Sequence, residues 1–299
     1  MMPAPLQFAV KIAAHTEQLK ILTAISILPI RDMRIFAGEV VLADIFTEGR
    51  LILGVGRGNF RYELERLGIP MEETRARFDE SLAVLQALLE REEVSWDGDY
   101  YKFDPLTVMP RPINPGGPPM MMAAVKPDAI YHCARQGYHV QTTPLAGSKS
   151  YLQEQVDAFN RGKEEAGDVG EDLTLTLLRV GFMCHSEMEK RERIQMAHAF
   201  LGRFDNVHEG AGIVDNGMVR ALPRRQPIDQ VAKNALIGMK QEMIDKLSAF
   251  DEMGIDRIIL NVNFGCDPHE TLDSIQYFAE EVMPHFADEK DGDIRKIVA

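Results

Sequence analysis

Residues Leu51–Phe60 read LILGVGRGNF. An apolar run ends in alternating glycines, and the turn they make carries one arginine, Arg57. A second arginine, Arg75 in ETRAR (Glu73–Arg77), opens the next amphipathic stretch. Two guanidiniums at the ends of neighbouring elements, beside flexible backbone, suit a phosphate. The GxGxxG spacing of a dinucleotide site is broken, because Asn59 stands at the third glycine position. A tight strand-to-helix turn accounts for Gly54, Gly56 and Gly58 without a ligand. A surface salt bridge from Arg57 to Glu63, Glu72 or Glu73 is the competing reading of that arginine.

Working outward, strand-like and helix-like segments alternate. Leu19–Leu28 is a short β-branched run ending at Pro29, and Met33–Phe46 has helical spacing closed by Glu48-Gly49. Leu51–Val55 is a strand. Thr74 is expected to cap a helix with a stripe of Phe78, Leu82, Leu85 and Leu89. Val94–Phe103 reads as a hairpin around Asp97-Gly98, a two-residue turn, followed by a proline-rich connector. Further strands are expected at Pro119–Ala124, Tyr138–Thr142, Leu173–Met183 and Arg257–Val262. Further helices are expected at Pro127–Gln136, Lys149–Ala166, Glu187–Phe204, Gln241–Met253 and Pro268–Phe286. Asp205–Asn234 shows little periodicity and reads as an inserted loop region, a candidate lid.

Strands regularly followed by helices imply a parallel sheet covered by helices. A (β/α)8 barrel and an open doubly wound sheet both fit. The 299 residues contain no long linker, so one domain is expected, with insertions at about 93–118 and 205–235.

A formal charge of -13 argues against nucleic acid and anionic membranes as partners, so a phosphate ligand needs locally concentrated positive charge. Cys133, Cys184 and Cys266 are sparse, odd in number and without a CxxC pair, which points to a reducing, cytoplasmic setting rather than a disulfide framework. No 18-residue apolar run is present. No metal site is expected: His269-Glu270 begins an HExxH pattern, but Asp273 takes the second histidine position.

Five stretches in order resemble the bacterial luciferase-like family of flavin-dependent monooxygenases. They are HTEQLKILTAISILP (His15–Pro29), EVVLADIFTEGRLILGVGRGN (Glu39–Asn59), the helix led by Arg75, PPMMMAAVKPDAIYHCARQG (Pro118–Gly137), and the stretch from Gly254 to Phe286. The resemblance implies an α/β fold, a TIM (β/α)8 barrel of the luciferase-like type. It also implies that the chain lacks the family's first two β/α units, since His15–Pro29 resembles the third strand. A histidine important in luciferase itself belongs to that missing part.

By the same resemblance Arg57 and Arg75 hold the phosphate of FMN and Asn59 lines its pocket. Ala24 and Ile25 match the place where luciferase has a non-proline cis peptide beneath the flavin ring. Val125, Lys126 and Ala129 sit where a strand meets the helix starting at Pro127, whose N-terminus offers N–H groups to a phosphate. The family commonly has a small hydroxyl residue where this chain has Lys126. The implied activity is an FMN-dependent monooxygenase that takes reduced flavin from a separate flavin reductase and uses O2 to oxygenate an apolar organic substrate. The implied partner in assembly is a second copy, as a homodimer. Two other readings stand beside it: an F420-dependent oxidoreductase on the same fold, and a non-catalytic flavin-binding or partner subunit. No catalytic acid or base is named by the sequence. Cys184-His185 is an adjacent pair and does not indicate a thiol nucleophile.

Overall fold

The computed structural model describes residues 4–143, 149–208, 212–224 and 226–287. The chain divides into two compact units, Met1–Ala123 and Ala124–Ala299.

The first unit begins with helix α1 (Pro5–Ala13) and the short strands β1 (Ile21–Leu22) and β2 (Ser26–Ile27). Helix α2 (Met33–Phe46) follows, started by Asp32, whose carboxylate accepts the Arg34 N–H, and ended by Glu48 and Gly49 at φ 57° and 75°. Strand β3 (Leu51–Gly56) pairs in parallel with β1 and β2 on one side and with β6 (Met120–Ala123) on the other. Flanked on both edges, β3 is an apolar run rather than an alternating one, with Leu51, Leu53 and Val55 buried. Helices α3 (Arg61–Arg66) and α4 (Thr74–Glu90) come next, and α4 packs on α2 through a core that includes Phe36, Val40, Leu85 and Leu88. Strands β4 (Val94–Asp97) and β5 (Lys102–Leu106) form an antiparallel hairpin.

The second unit runs α5 (Pro127–Arg135), β7 (His139–Thr142), α6 (Lys149–Glu165), β8 (Leu175–Met183) and α7 (Glu187–His208). A small hairpin, β9 (Val214–Asp215) and β10 (Met218–Val219), leads to α8 (Ile228–Asn234), β11 (Leu236–Gly238), α9 (Lys240–Asp251), β12 (Arg257–Asn261) and α10 (Pro268–Glu281). Strands β7, β11 and β12 each pair with β8 in parallel. The core between β8 and its helices holds Leu175, Leu177, Phe159, Leu247 and Phe278, and a second cluster gathers Phe182, Ile194, Leu201 and Phe264 under α7.

Four expectations from the sequence are corrected. The run Leu19–Leu28 is two short strands, not one. Thr74 is the first helical residue of α4 rather than its cap, and its hydroxyl donates to the Met71 carbonyl at 2.7 Å. Of the expected stripe on α4, Leu85 and Leu89 are buried, beside Ser81, Val84, Ala87 and Leu88, and Phe78 and Leu82 are half-buried.

The hairpin turn spans four residues, because Asp97 pairs with Lys102. Glu80 on α4 accepts the N–H groups of Asp99, Tyr100 and Tyr101 at 3.0–3.1 Å and so holds the wider loop open.

The stretch 205–234 is not one loop. Asn216-Gly217, both at positive φ, turn the β9–β10 hairpin, and the buried Asn206 of α7 binds the Ile213 and Arg220 carbonyls at 2.8 Å. Residues 209–211 and 225 of that expected insertion lie outside the described residues.

Helices α5 and α6 touch at Gly162, where an added Cβ would stand 2.4 Å from the Tyr131 carbonyl oxygen and 2.9 Å from the Ala134 Cβ. Gly162→Ala is therefore expected to destabilise the chain by about 2 kcal/mol, even though alanine is the better helix former. Chemical denaturation of both variants measures it; a stabilised Gly162→Ala would contradict the close packing.

Candidate active site

Strands β1 and β2 share one neighbour, β3, and their registers do not add up. Leu22 stands opposite Ile52 and Ser26 opposite Val55, so four steps on one side face three on the other. The extra residue is a bulge at Thr23–Ile25. It is held by the buried Thr23 hydroxyl, which accepts the Gly54 N–H at 3.0 Å and donates to the Gly54 carbonyl at 3.0 Å. One side chain thus satisfies both backbone groups that the bulge would otherwise leave unpaired. The approach requires glycine: a Cβ on Gly54 would lie 1.8 Å from the Thr23 carbonyl oxygen. A Cβ on Gly56 would lie 2.1 Å from Ile25 Cδ1. The peptide between Ala24 and Ile25 is cis, the geometry expected there on the resemblance, with Ala24 exposed and Ile25 half-buried.

Parallel pairing puts the ends of β2 and β3 together, Ile27 opposite Gly56. Arg57 leaves the end of β3 exposed, and among the described residues it makes no ion pair. Its neighbours are different. Arg61 pairs with Glu65 at 2.6 Å, Arg75 with Asp79 at 2.8 Å, and Arg77 with Glu73 at 2.9 Å. The competing reading of Arg57 as a surface salt bridge is not realised. Gly58, at φ 76°, sits against Ile27, so the turn that carries Arg57 lies over the bulged edge. Asn59 is exposed on the same turn. The structure brings Ala24, Ile25, Arg57 and Asn59 to two adjoining segments. Arg75 stands in the first turn of α4, largely exposed and tied to that helix's own Asp79.

In the second unit Val125, Lys126 and Ala129 surround the start of α5. Lys126 is the residue before the first turn, no side chain caps that turn, and Pro127 opens it. Such a start presents N–H groups and the positive end of the helix dipole to an anion. The Val125 carbonyl accepts from Gln155 Nε2 at 2.5 Å and from Tyr151 Oη at 3.2 Å, which fixes the approach of the chain to α5.

Neither Thr23 nor Gln155 was singled out by sequence reasoning. A threonine inside a β-branched run looks like any strand residue. A glutamine at an apolar helix position was the available signal for Gln155. The thiol of Cys184 is pushed up to about 12 by burial, so it is a poor nucleophile at neutral pH. Asp273 forms a 2.6 Å hydrogen bond with His185 Nε2, whose ring stacks on Tyr277.

The model of the luciferase-like monooxygenase family matches residues 1–257. The chain belongs to that family. A flavin-dependent trigonelline monooxygenase oxygenase component from Acinetobacter baylyi is 26% identical over 96% of this chain and 82% of its own length. An F420-dependent glucose-6-phosphate dehydrogenase from Nakamurella multipartita is 24% identical over 94% of this chain and 82% of its own length. The crystal structure of monooxygenase RslO1 from Streptomyces bottropensis superposes with a TM-score of 0.82 at 24% identity, covering 96% of this chain and 84% of that one. This luciferase-like chain has the family's fold, and at the end of its β3 stands Arg57, which makes no ion pair among the described residues.

Thr23→Val keeps the shape and removes the hydroxyl. It leaves the Gly54 N–H and carbonyl without partners, at about 2 kcal/mol, and is expected to lower Tm by about 5 °C. Thr23→Ser is expected to retain most of that stability in the same thermal melt. Equal melting of Thr23→Val and the parent chain would show that the hydroxyl is not what holds the bulge.

Proposed function

We propose that this chain is the oxygenase of a two-component flavin monooxygenase. It takes reduced FMN from a separate reductase and uses O2 to oxygenate an apolar organic substrate, on a single luciferase-like barrel domain. The name "oxygenase component" of the Acinetobacter baylyi relative supports the division of labour with a reductase.

The observation that carries the reading is Arg57, a guanidinium at the end of parallel strand β3 that has no ion pair among the described residues of an acidic chain. Such ends are where barrel active sites form. In this reading Arg57 grips the flavin phosphate, Asn59 lines the phosphate pocket, and Arg75 exchanges Asp79 for the same anion. The exposed Ala24 and the half-buried Ile25 support the flavin ring. Val125, Lys126 and Ala129 are proposed cofactor residues on the resemblance and on the uncapped start of α5. When bound, reduced flavin supplies the oxygen-activating chemistry. The residues named here bind it, orient it and keep water from it.

A second reading has a specific observation behind it. The F420-dependent dehydrogenase relative matches nearly the whole chain, so hydride transfer with F420 on the same residues is the alternative. Three cysteines that form no disulfide suit a cytoplasmic setting, and among the described residues no helix is long and apolar enough to cross a membrane.

A homodimer is the proposed assembly. Ile35, Leu42 and Phe46 are large, exposed and aligned along one face of α2, and Phe8 is exposed on the adjoining α1.

Anaerobic titration with reduced FMN is expected to show saturable binding that Arg57→Ala weakens about 10- to 100-fold with no change in melting. Tighter binding of reduced F420 than of reduced FMN would replace the monooxygenase reading with the F420 one. Absence of both from a well-folded chain would leave a non-catalytic partner subunit. Phe46→Glu is expected to convert a dimer into a monomer in analytical ultracentrifugation; a monomeric parent chain would sink the assembly.

A further inference from the structure

The geometry points to a second binding site in the first unit, for an organic acid with an apolar body. A cleft of about 420 Å³ opens between the start of α2, the first turns of α4, the bend after α3 and the β4–β5 loop. That volume is within the range of small-ligand sites. Arg57, Asn59 and Arg75 are not among its walls, so it is separate from the residues assigned to flavin.

The walls carry Arg31, Arg34, Arg77 and Lys102 against a single carboxylate, Asp32. Asp32 and Arg34 neutralise each other: Arg34 Nε lies 2.9 Å from one carboxylate oxygen and 3.2 Å from the other. The hydrogen bond from Arg34 holds the Asp32 carboxyl below its ordinary range, so this pair stays ionised. Three cations remain. Their own carboxylates, Glu39 at 3.7 Å from Arg31, Glu73 at 2.9 Å from Arg77 and Asp97 at 2.5 Å from Lys102, are not part of the walls. The carboxylate of each pair is exposed, at 49%, 41% and 78%, and an exposed ion pair contributes about 0–1 kcal/mol. An anion in the cleft can compete with them and meets three positive groups in a chain of net charge -13.

The cations are also held in place. The Arg77 guanidinium lies 4.6 Å from the Tyr100 ring centre, and that of Arg31 lies 4.9 Å from the Phe36 ring. Stacking fixes the guanidinium planes, and an anion in the cleft displaces part of the contacts they already make. The Tyr101 hydroxyl donates to the Arg31 carbonyl at 3.0 Å and sits 3.0 Å from the Ser81 hydroxyl, so the loop and both helices form one frame. Glu80 holds the base of that loop through three backbone N–H groups and Trp96 Nε1. Ile30, Leu67 and Ile69 add apolar lining, and Leu67 is half exposed. A lining that holds both cations and hydrocarbon selects an amphiphilic anion over a free inorganic one.

The test is calorimetric titration of the full chain with benzoate, phenyl phosphate, benzyl alcohol and inorganic phosphate. Benzoate or phenyl phosphate is expected to bind about tenfold more tightly than either benzyl alcohol or inorganic phosphate, with affinity falling as salt rises. Whichever of the two binds more tightly fixes the head group. The Arg31→Gln/Arg77→Gln double variant is expected to lose about tenfold for that anion while reduced-FMN affinity stays within about twofold of the parent. Arg57→Ala is expected to do the reverse, which separates failure of this site from failure of the flavin reading. The proposal is overturned by equal binding of benzyl alcohol, by equal binding of inorganic phosphate, or by loss of anion binding in Arg57→Ala. It is equally overturned if the double variant binds as the parent does, or if a chain with a native melt binds none of the probes.

Discussion

The paired hydrogen bonds between the Thr23 hydroxyl and the Gly54 backbone are the contact on which the first unit's site depends. They let two short strands share β3 with one residue to spare. That spare residue places Ala24 at the surface and turns Ile25 against Gly56. The same register puts the end of β2 under the turn that carries Arg57. Without glycine at 54 the two backbones could not approach, and without the hydroxyl two buried polar groups would lack partners. A local geometric demand, met by one hydroxyl and one missing methyl group, thereby sets where the arginine stands.

Charge is distributed with a consistent logic around this frame. In a strongly acidic chain four arginines of the first unit pair with nearby carboxylates: Arg61, Arg75 and Arg77 with ones a helical turn away, Arg34 with Asp32. Arg57, at the strand end, makes no ion pair among the described residues. The cleft beside α4 is the other place where positive charge gathers, its counter-charges set outside its walls. The two places suit two different anions.

Much of this was legible in the sequence. Helix α2 has the expected bounds because Asp32 and Glu48-Gly49 supply its start and stop. Strand β3 and helix α5 were legible for similar reasons, an apolar run ended by glycines and a proline at the first helical position. Arg57 was legible because glycines isolate it. What escaped was decided by contacts distant in sequence. The four-residue hairpin turn depends on Glu80, some twenty residues before it. The bulge depends on a threonine that pairs with a glycine 31 residues later. Strand β11 is only three residues long and takes its strand character from β8. The β9–β10 hairpin is different, since Asn216-Gly217 is a strong turn signal that the low periodicity around it obscured.

The central claim is that Arg57 holds the flavin through its phosphate, and a comparison of FMN with riboflavin tests it most directly. Both ligands, reduced, are titrated anaerobically into the parent chain and into Arg57→Ala. The account predicts that the parent favours FMN by about tenfold or more and that Arg57→Ala binds the two almost equally, the coupling being carried by the phosphate. If Arg57→Ala weakens riboflavin as much as FMN, the arginine acts on something other than the phosphate, and the assignment of the site is contradicted.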